Sequence, residues 1–141
     1  MKRIIVAMDG SEHALKAVEY ATEISHRQDE TRIELVYVSP PLVLPPNVYA
    51  EALARVEADE KQYAAKILGE AAQTVKARGV QCETLHLNGP VAEAIATLAD
   101  DQKAWMVVVA SRGRGAVARV FLGSVADRLV HISKRPVVVV H

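Results

Sequence analysis

Apolar residues along this chain follow two alternating rhythms. Five short apolar runs, at residues 4–8, 33–38, 84–87, 105–109 and 137–140, read as β-strands. The first, fourth and last are continuous and mostly β-branched, as in parallel strands buried on both faces. Between the runs, apolar residues recur every three or four positions, the period of a helix with one buried face. Ala14, Ala17, Val18, Ala21 and Ile24 form one such stripe behind Ser11, a candidate N-cap. Leu53, Val56, Ala64, Ile67, Leu68, Ala71 and Val75 form a longer one, closed by Gly79. Pro90 opens a third helix, with Ala92, Ile95, Ala96 and Ala99 on its inner face. Gly123 and Ser124 open a fourth, with Val125, Leu129 and Ile132 facing inward and Pro136 beyond its end.

The resulting order is β-α-β-α-β-α-β-α-β. Parallel neighbours need crossover helices, so this alternation predicts an α/β fold: an open, five-stranded parallel sheet, doubly wound and Rossmann-like, with helices on both faces. The length of 141 residues suits one domain spanning residues 1–141. Residues 39–46 contain Pro40, Pro41, Pro45 and Pro46, which exclude both helix and central strand, and they read as a surface loop leading into the second helix.

In such sheets, ligands bind beyond the carboxyl ends of the strands, where the strand order reverses. That rule selects Asp9-Gly10-Ser11, Val38-Ser39 and the segment from Ala110 to Ser124. The last segment is the most informative. Gly113 and Gly115 let backbone amides approach a phosphate closely. Gly123-Ser124 at a helix start offers free amides, the positive end of the helix dipole and a hydroxyl. The segment is not a Walker A loop, since no Gly-Lys-Ser/Thr follows. Ser124-Val125-Ala126-Asp127 also matches a capping box, in which Ser124 needs no ligand and contributes about 1 kcal/mol as a cap. For Asp9 the ligand-free alternative is a carboxylate bracing its own turn.

These residues carry a resemblance that runs from end to end. Ile4-Ile5-Val6-Ala7-Met8-Asp9-Gly10-Ser11, Asn88-Gly89-Pro90, Ser111-Arg112-Gly113 through Gly123-Ser124, and the tail Lys134-Arg135-Pro136-Val137-Val138-Val139-Val140 are similar to the universal stress protein family. Its nucleotide-binding members carry Gly-x2-Gly-x9-Gly-Ser/Thr; this chain keeps the spacing as Ala110-x2-Gly113-x9-Gly123-Ser124, with alanine in place of the first glycine. The resemblance implies a fold of the adenine nucleotide alpha hydrolase type and an ATP site. Ala7, Asp9 and Val38 would line the adenosine, and Val109, Ala110, Arg112 and Gly113 would flank ribose and phosphates. Gly123, Ser124 and Val125 would cradle the phosphate chain, often with a divalent metal, magnesium or manganese, bridging its oxygens. A glycine needed at position 110 for positive φ or close approach disfavours binding by this chain, whereas an extended strand end accepts alanine. The resemblance further implies a homodimer paired through Val137, Val138, Val139 and Val140. An apolar strand at a sheet edge invites the same pairing on physical grounds.

Composition narrows the remaining possibilities. Half of the residues are apolar and 24% are charged, which suits a folded globule. Lysine plus arginine and aspartate plus glutamate both number 17, which argues against a basic nucleic-acid coat. The charge is uneven, however: residues 1–101 carry 10 basic and 16 acidic side chains, and residues 102–141 carry 7 and 1. Either this unevenness only balances solvated faces, or Arg112, Arg114 and Arg119 form a local anion-attracting surface. Cys82, the single cysteine, excludes an internal disulfide and reads as a buried, inert thiol. The five histidines share no ligand spacing. Ser11-Glu12-His13 are neighbours whose side chains diverge on a helix, not a triad. Tyr37, Tyr49 and Tyr63 lack the interleaved basic residues of a nucleic-acid surface. The first apolar run is cut at five residues by Asp9, shorter than a signal peptide needs, so the expectation is a cytoplasmic protein without a membrane span.

Three functions follow as expectations. The first is a homodimeric, ATP-binding stress regulator. The second is an interaction module of the same fold that does not bind ATP. The third is a slow ATPase or phosphotransferase, which ranks last because only Asp9 and Asp127 lie near the loop in sequence.

Overall fold

The computed structural model describes residues 1–113 and 122–141. Strands and helices alternate in chain order as β1 (Lys2–Met8), α1 (Glu12–His26), β2 (Thr31–Ser39), α2 (Ala50–Ala77), β3 (Gln81–Asn88), α3 (Val91–Asp101), β4 (Met106–Ala110), α4 (Ser124–Ile132) and β5 (Val137–Val140). All pairings are parallel and the sheet order is β3-β2-β1-β4-β5. β1 and β4 are central and β5 forms one edge.

Alternation along the strands splits the core in two. Ile4, Val6, Met8, Ile33, Leu35, Tyr37, Val108 and Ala110 face α1 and α2. Ile5, Val36, Val38, Val107 and Val109 face α3 and α4. Both sheet faces are thus buried, which is why β1 from Ile4 onward and β4 throughout are apolar at every position. Ser11 caps α1 as its sequence predicts, accepting the Ala14 N–H at 3.1 Å.

Two elements differ from their sequence pattern. β3 is twice as long as the apolar run at 84–87, because Gln81, Glu83 and Asn88 pair with β2 from the exposed edge, where polar side chains cost nothing. The buried stripe of α2 begins only at Ala64. A helix of 28 residues is about 42 Å long, against about 30 Å for the nine residues of β2, so its first turns overhang the sheet. Val56 on that overhang is 38% exposed.

Cys82 is buried, and burial pushes its thiol up to about 11. The folded chain holds this proton more tightly than the unfolded chain. The contribution of Cys82 to stability is therefore constant at low pH and falls as pH rises above about 9. Labelling by Ellman's reagent at pH 8 is expected to be about a hundredfold slower in the native protein than in urea. Equal rates would show the thiol to be open to solvent.

Candidate functional site

The chain leaves β1 toward β2 and β3 on one side and returns through α3 to β4 on the other. The reversal of strand order therefore lies between the carboxyl ends of β1 and β4, where Asp9 and Ser111 emerge. Asp9 turns back on its own loop and accepts the Ser11 N–H through Oδ1 at 2.8 Å. Its other carboxylate oxygen lies against Gly113: a β-carbon at position 113 would overlap Asp9 Oδ2. The ends of β1 and β4 are in contact here at the level of backbone and carboxylate.

Gly123 closes the same cluster. Its N–H donates to Ser111 O at 2.5 Å, which brings the start of α4 back onto the end of β4. A β-carbon at position 123 would stand 3.2 Å from Ser111 O, 3.3 Å from Arg112 Cα and 3.5 Å from Gly113 N. Both motif glycines thus mark points of close approach rather than of unusual φ. Gly123 is also the N-cap residue of α4 and supplies no side-chain cap. The first bond within the helix is Asp127 N–H to Gly123 O, 2.9 Å, so the amides of residues 124–126 have no acceptor inside the helix.

This placement overturns the capping reading of Ser124. Ser124 is the first residue inside the helix and is exposed, one position too late to cap it. Asp127 is not half of a capping box either; it lies 3.9 Å from His131 and is 62% exposed. Replacing Ser124 by alanine is therefore expected to leave the melting temperature within about 1 °C, where a lost cap would lower it by about 3 °C. A thermal melt of Ser124→Ala distinguishes the two.

The strand positions singled out in the sequence divide between the two faces. Val38 and Val109, each 4% exposed, and the half-buried Ala7 lie on the α3/α4 side. Ala110 is the last residue of β4, without positive φ, and is buried in the core on the opposite, α1/α2 face. Its backbone accepts alanine without strain. Arg112 and Val125 are half-buried beside this cluster. Arg114, Gly115 and Arg119 lie outside the described residues. Among the described residues, no group of three or more histidine, cysteine, aspartate or glutamate side chains is placed to hold a metal ion.

A second polar cluster, which sequence reasoning missed, lies at the same end of the sheet on the α1/α2 side. Glu60 Oε1 accepts from the Tyr37 hydroxyl and, at 2.9 Å, from Ser39 Oγ. Ser39 Oγ is also 2.7 Å from His86 Nε2. With the single serine proton committed to Glu60, the histidine is the donor in that pair. The Tyr37 and His86 rings are lateral partners in the β2–β3 register, with centroids 5.4 Å apart. Nothing in the separate sequence segments announces this grouping, because it depends on strand register and on where α2 crosses the sheet. Ser39 is only 5% exposed, and the serine rather than the histidine is the middle member, so this is not a nucleophile with its base.

Comparison with known proteins agrees with the fold. The model of the universal stress protein family matches residues 1–141. A universal stress protein of Methanocaldococcus jannaschii is 33% identical over 141 residues, covering 99% of this chain and 81% of its own. The structure of a universal stress protein from Lactobacillus plantarum superposes with a TM-score of 0.89 at 20% identity, over 99% of this chain and 97% of that one. A universal stress protein solved in complex with cAMP has a TM-score of 0.76 at 29% identity, over 99% and 97% of the two chains. A family model that matches the whole chain, with a relative 33% identical from end to end, has one reading: this chain belongs to the universal stress protein family.

Proposed function

We propose that this protein is a nucleotide-binding regulator of the stress response, which holds ATP in the β1/β4 crevice and works as a homodimer joined through β5. The observation that carries the reading is the pair of crowded glycines. At Gly113 a β-carbon would overlap the Asp9 carboxylate, and at Gly123 one would press tightly on the backbone of residues 111–113, so bare backbone lines the crevice beside the uncapped start of α4. The 29%-identical relative in complex with cAMP supports an adenine nucleotide as the ligand class.

In this reading Ala7, Asp9 and Val38 hold the adenosine, and Val109, Arg112 and Gly113 flank ribose and phosphates. Ala110 contributes backbone alone. The amides of Ser124 and Val125 and the Ser124 hydroxyl take the phosphates. Magnesium, where it enters, comes on the nucleotide's oxygens. The function is binding without robust turnover: Asp9 is engaged with its own turn and Asp127 faces solvent, which leaves neither poised to orient a water.

Dimerisation rests on β5. Val107 N–H donates to Pro136 O and Ser111 N–H to Val140 O, so the even positions of β5 bond to β4. By alternation, Val137 and Val139 direct their N–H and C=O groups toward the sheet edge, where a second copy can pair.

The test is calorimetric titration of nucleotide-stripped protein with Mg-ATP, AMP and cAMP, and with Mg-GTP as control. About micromolar, adenine-selective binding supports the proposal. Absence of heat with all three adenine nucleotides overturns it in favour of an interaction module that works without nucleotide.

A further inference from the structure

The polar cluster behind β2 ends in one residue that touches the crevice turn. Tyr63 reaches from α2 onto Gly10, whose φ of +83° is open to few residues besides glycine. A β-carbon on Gly10 would overlap the Tyr63 hydroxyl and stand 3.0 Å from its Cζ. The ring itself is braced edge-on by Tyr37, with centroids 5.9 Å apart and planes at 72°. Tyr37 is 4% exposed and bonds to Glu60, three residues before Tyr63 on α2. Glu60 in turn holds Ser39, and Ser39 holds His86. Two residues of one helix turn are thus fixed to β2 and β3 before Tyr63 meets the β1–α1 turn.

On the other side of Gly10, the adjacent Asp9 lies against Gly113. Asp9-Gly10-Ser11 is therefore a layer between Tyr63 and the glycine segment that follows β4. A turn with a glycine at its centre has no side chain there to hold its own position. Packing from outside must supply that, and a binding constellation tolerates only about 0.5 Å of displacement.

We infer that Tyr63 is a positioning residue for the β1/β4 crevice: its ring, braced by Tyr37 and anchored through Glu60, sets where the Asp9 carboxylate stands. The inference rests on the nucleotide reading for its consequence in binding but not for its geometry. It assigns a task to the Tyr37, Ser39, Glu60 and His86 cluster, which the crevice residues leave unexplained.

The experiment uses the full chain in three forms: wild type, Tyr63→Ala and Tyr63→Phe. Hydrogen exchange at the Ser11 N–H, which donates to Asp9 Oδ1, reports the turn directly in the ligand-free protein. Tyr63→Ala is expected to speed that exchange by about tenfold and leave the amides of β4 unchanged. Affinity for AMP is expected to fall by about tenfold in the same variant. Tyr63→Phe keeps the ring and is expected to restore both measures to within about twofold of wild type. Tyr63→Ala with a lower melting temperature but unchanged Ser11 exchange overturns the inference, as does a phenylalanine variant no better than alanine. Gly10→Ala supplies a second route if the alanine variant folds poorly, since its methyl would displace the Tyr63 hydroxyl. Unchanged Ser11 exchange there also counts against the inference. Failure of the nucleotide reading is separate: wild-type protein would then bind none of ATP, AMP and cAMP, while the Ser11 exchange still decides the role of Tyr63.

Discussion

Replacing Gly113 by valine is expected to weaken adenine-nucleotide binding by about a hundredfold or more while leaving a folded protein. The valine β-carbon falls on the Asp9 carboxylate, so either Asp9 leaves its place or the segment after β4 moves away from it. Either movement displaces groups on which the proposed site depends. Losing two hydrogen bonds to a charged phosphate, at about 1.5 kcal/mol each, corresponds to that hundredfold change. The cost to folding is smaller, because position 113 lies beyond the last residue of β4 and outside both core clusters. Calorimetry and a thermal melt on the same sample separate the two effects. If the melting temperature collapses together with the affinity, Gly113 serves the fold and not a ligand. The comparison with Ser124→Ala sharpens the test, since that change removes one hydroxyl from the same crevice and is expected to cost about tenfold in affinity.

Val139→Pro is expected to convert a dimer into a folded monomer. The N–H of Val139 faces the sheet edge, so proline removes a donor that β4 does not use. Its effect on the chain's own ladder is small, whereas it interrupts any strand paired alongside. Sedimentation equilibrium is expected to move from twice the chain mass of 15.3 kDa to that mass itself. Circular dichroism is expected to keep its helical signal, since among the described residues no backbone hydrogen bond joins a helix to β5. Val138→Pro is the control. Its N–H belongs to the set bonded to β4, so that variant is expected to lose stability as well. A dimer mass retained in Val139→Pro would refute pairing through this strand. A wild-type protein that is already monomeric would refute the dimer itself.

Much of the architecture was legible before any coordinates. The run of β-branched residues in β1, β4 and β5 and the three-to-four spacing of alanines in α1 report burial, and burial depends on local periodicity that any stretch of sequence displays. The end of the sheet that carries the candidate site was equally readable, because in open parallel sheets it follows from strand direction, while the crevice between β1 and β4 needed the strand order. The motif Ala110-x2-Gly113-x9-Gly123-Ser124 marked the crevice. What it did not convey is why those glycines are there. Gly113 answers to Asp9, more than 100 positions away in sequence, and Gly123 to the carbonyl of Ser111.

Boundaries and roles were decided elsewhere. β3 doubled in length because its polar residues sit at an edge, and the first half of α2 lost its predicted burial because the helix outruns the sheet. Ser124 changed from cap to first helical residue by a shift of one position, which no propensity resolves. The methyl of Ala110 turned out to face the α1/α2 core, a matter of strand phase at the last residue of β4. The cluster of Tyr37, Ser39, Glu60, Tyr63 and His86 arises from three elements brought together by parallel register. Periodicity, the order of elements along the chain and the family were therefore determined by the sequence alone, since each is written in the pattern and motifs of the chain, whereas the order of strands in the sheet came from the structure. Which side chains meet was decided only by the tertiary structure, because contacts between distant segments depend on register, helix length and crossing position, to which a local pattern is blind.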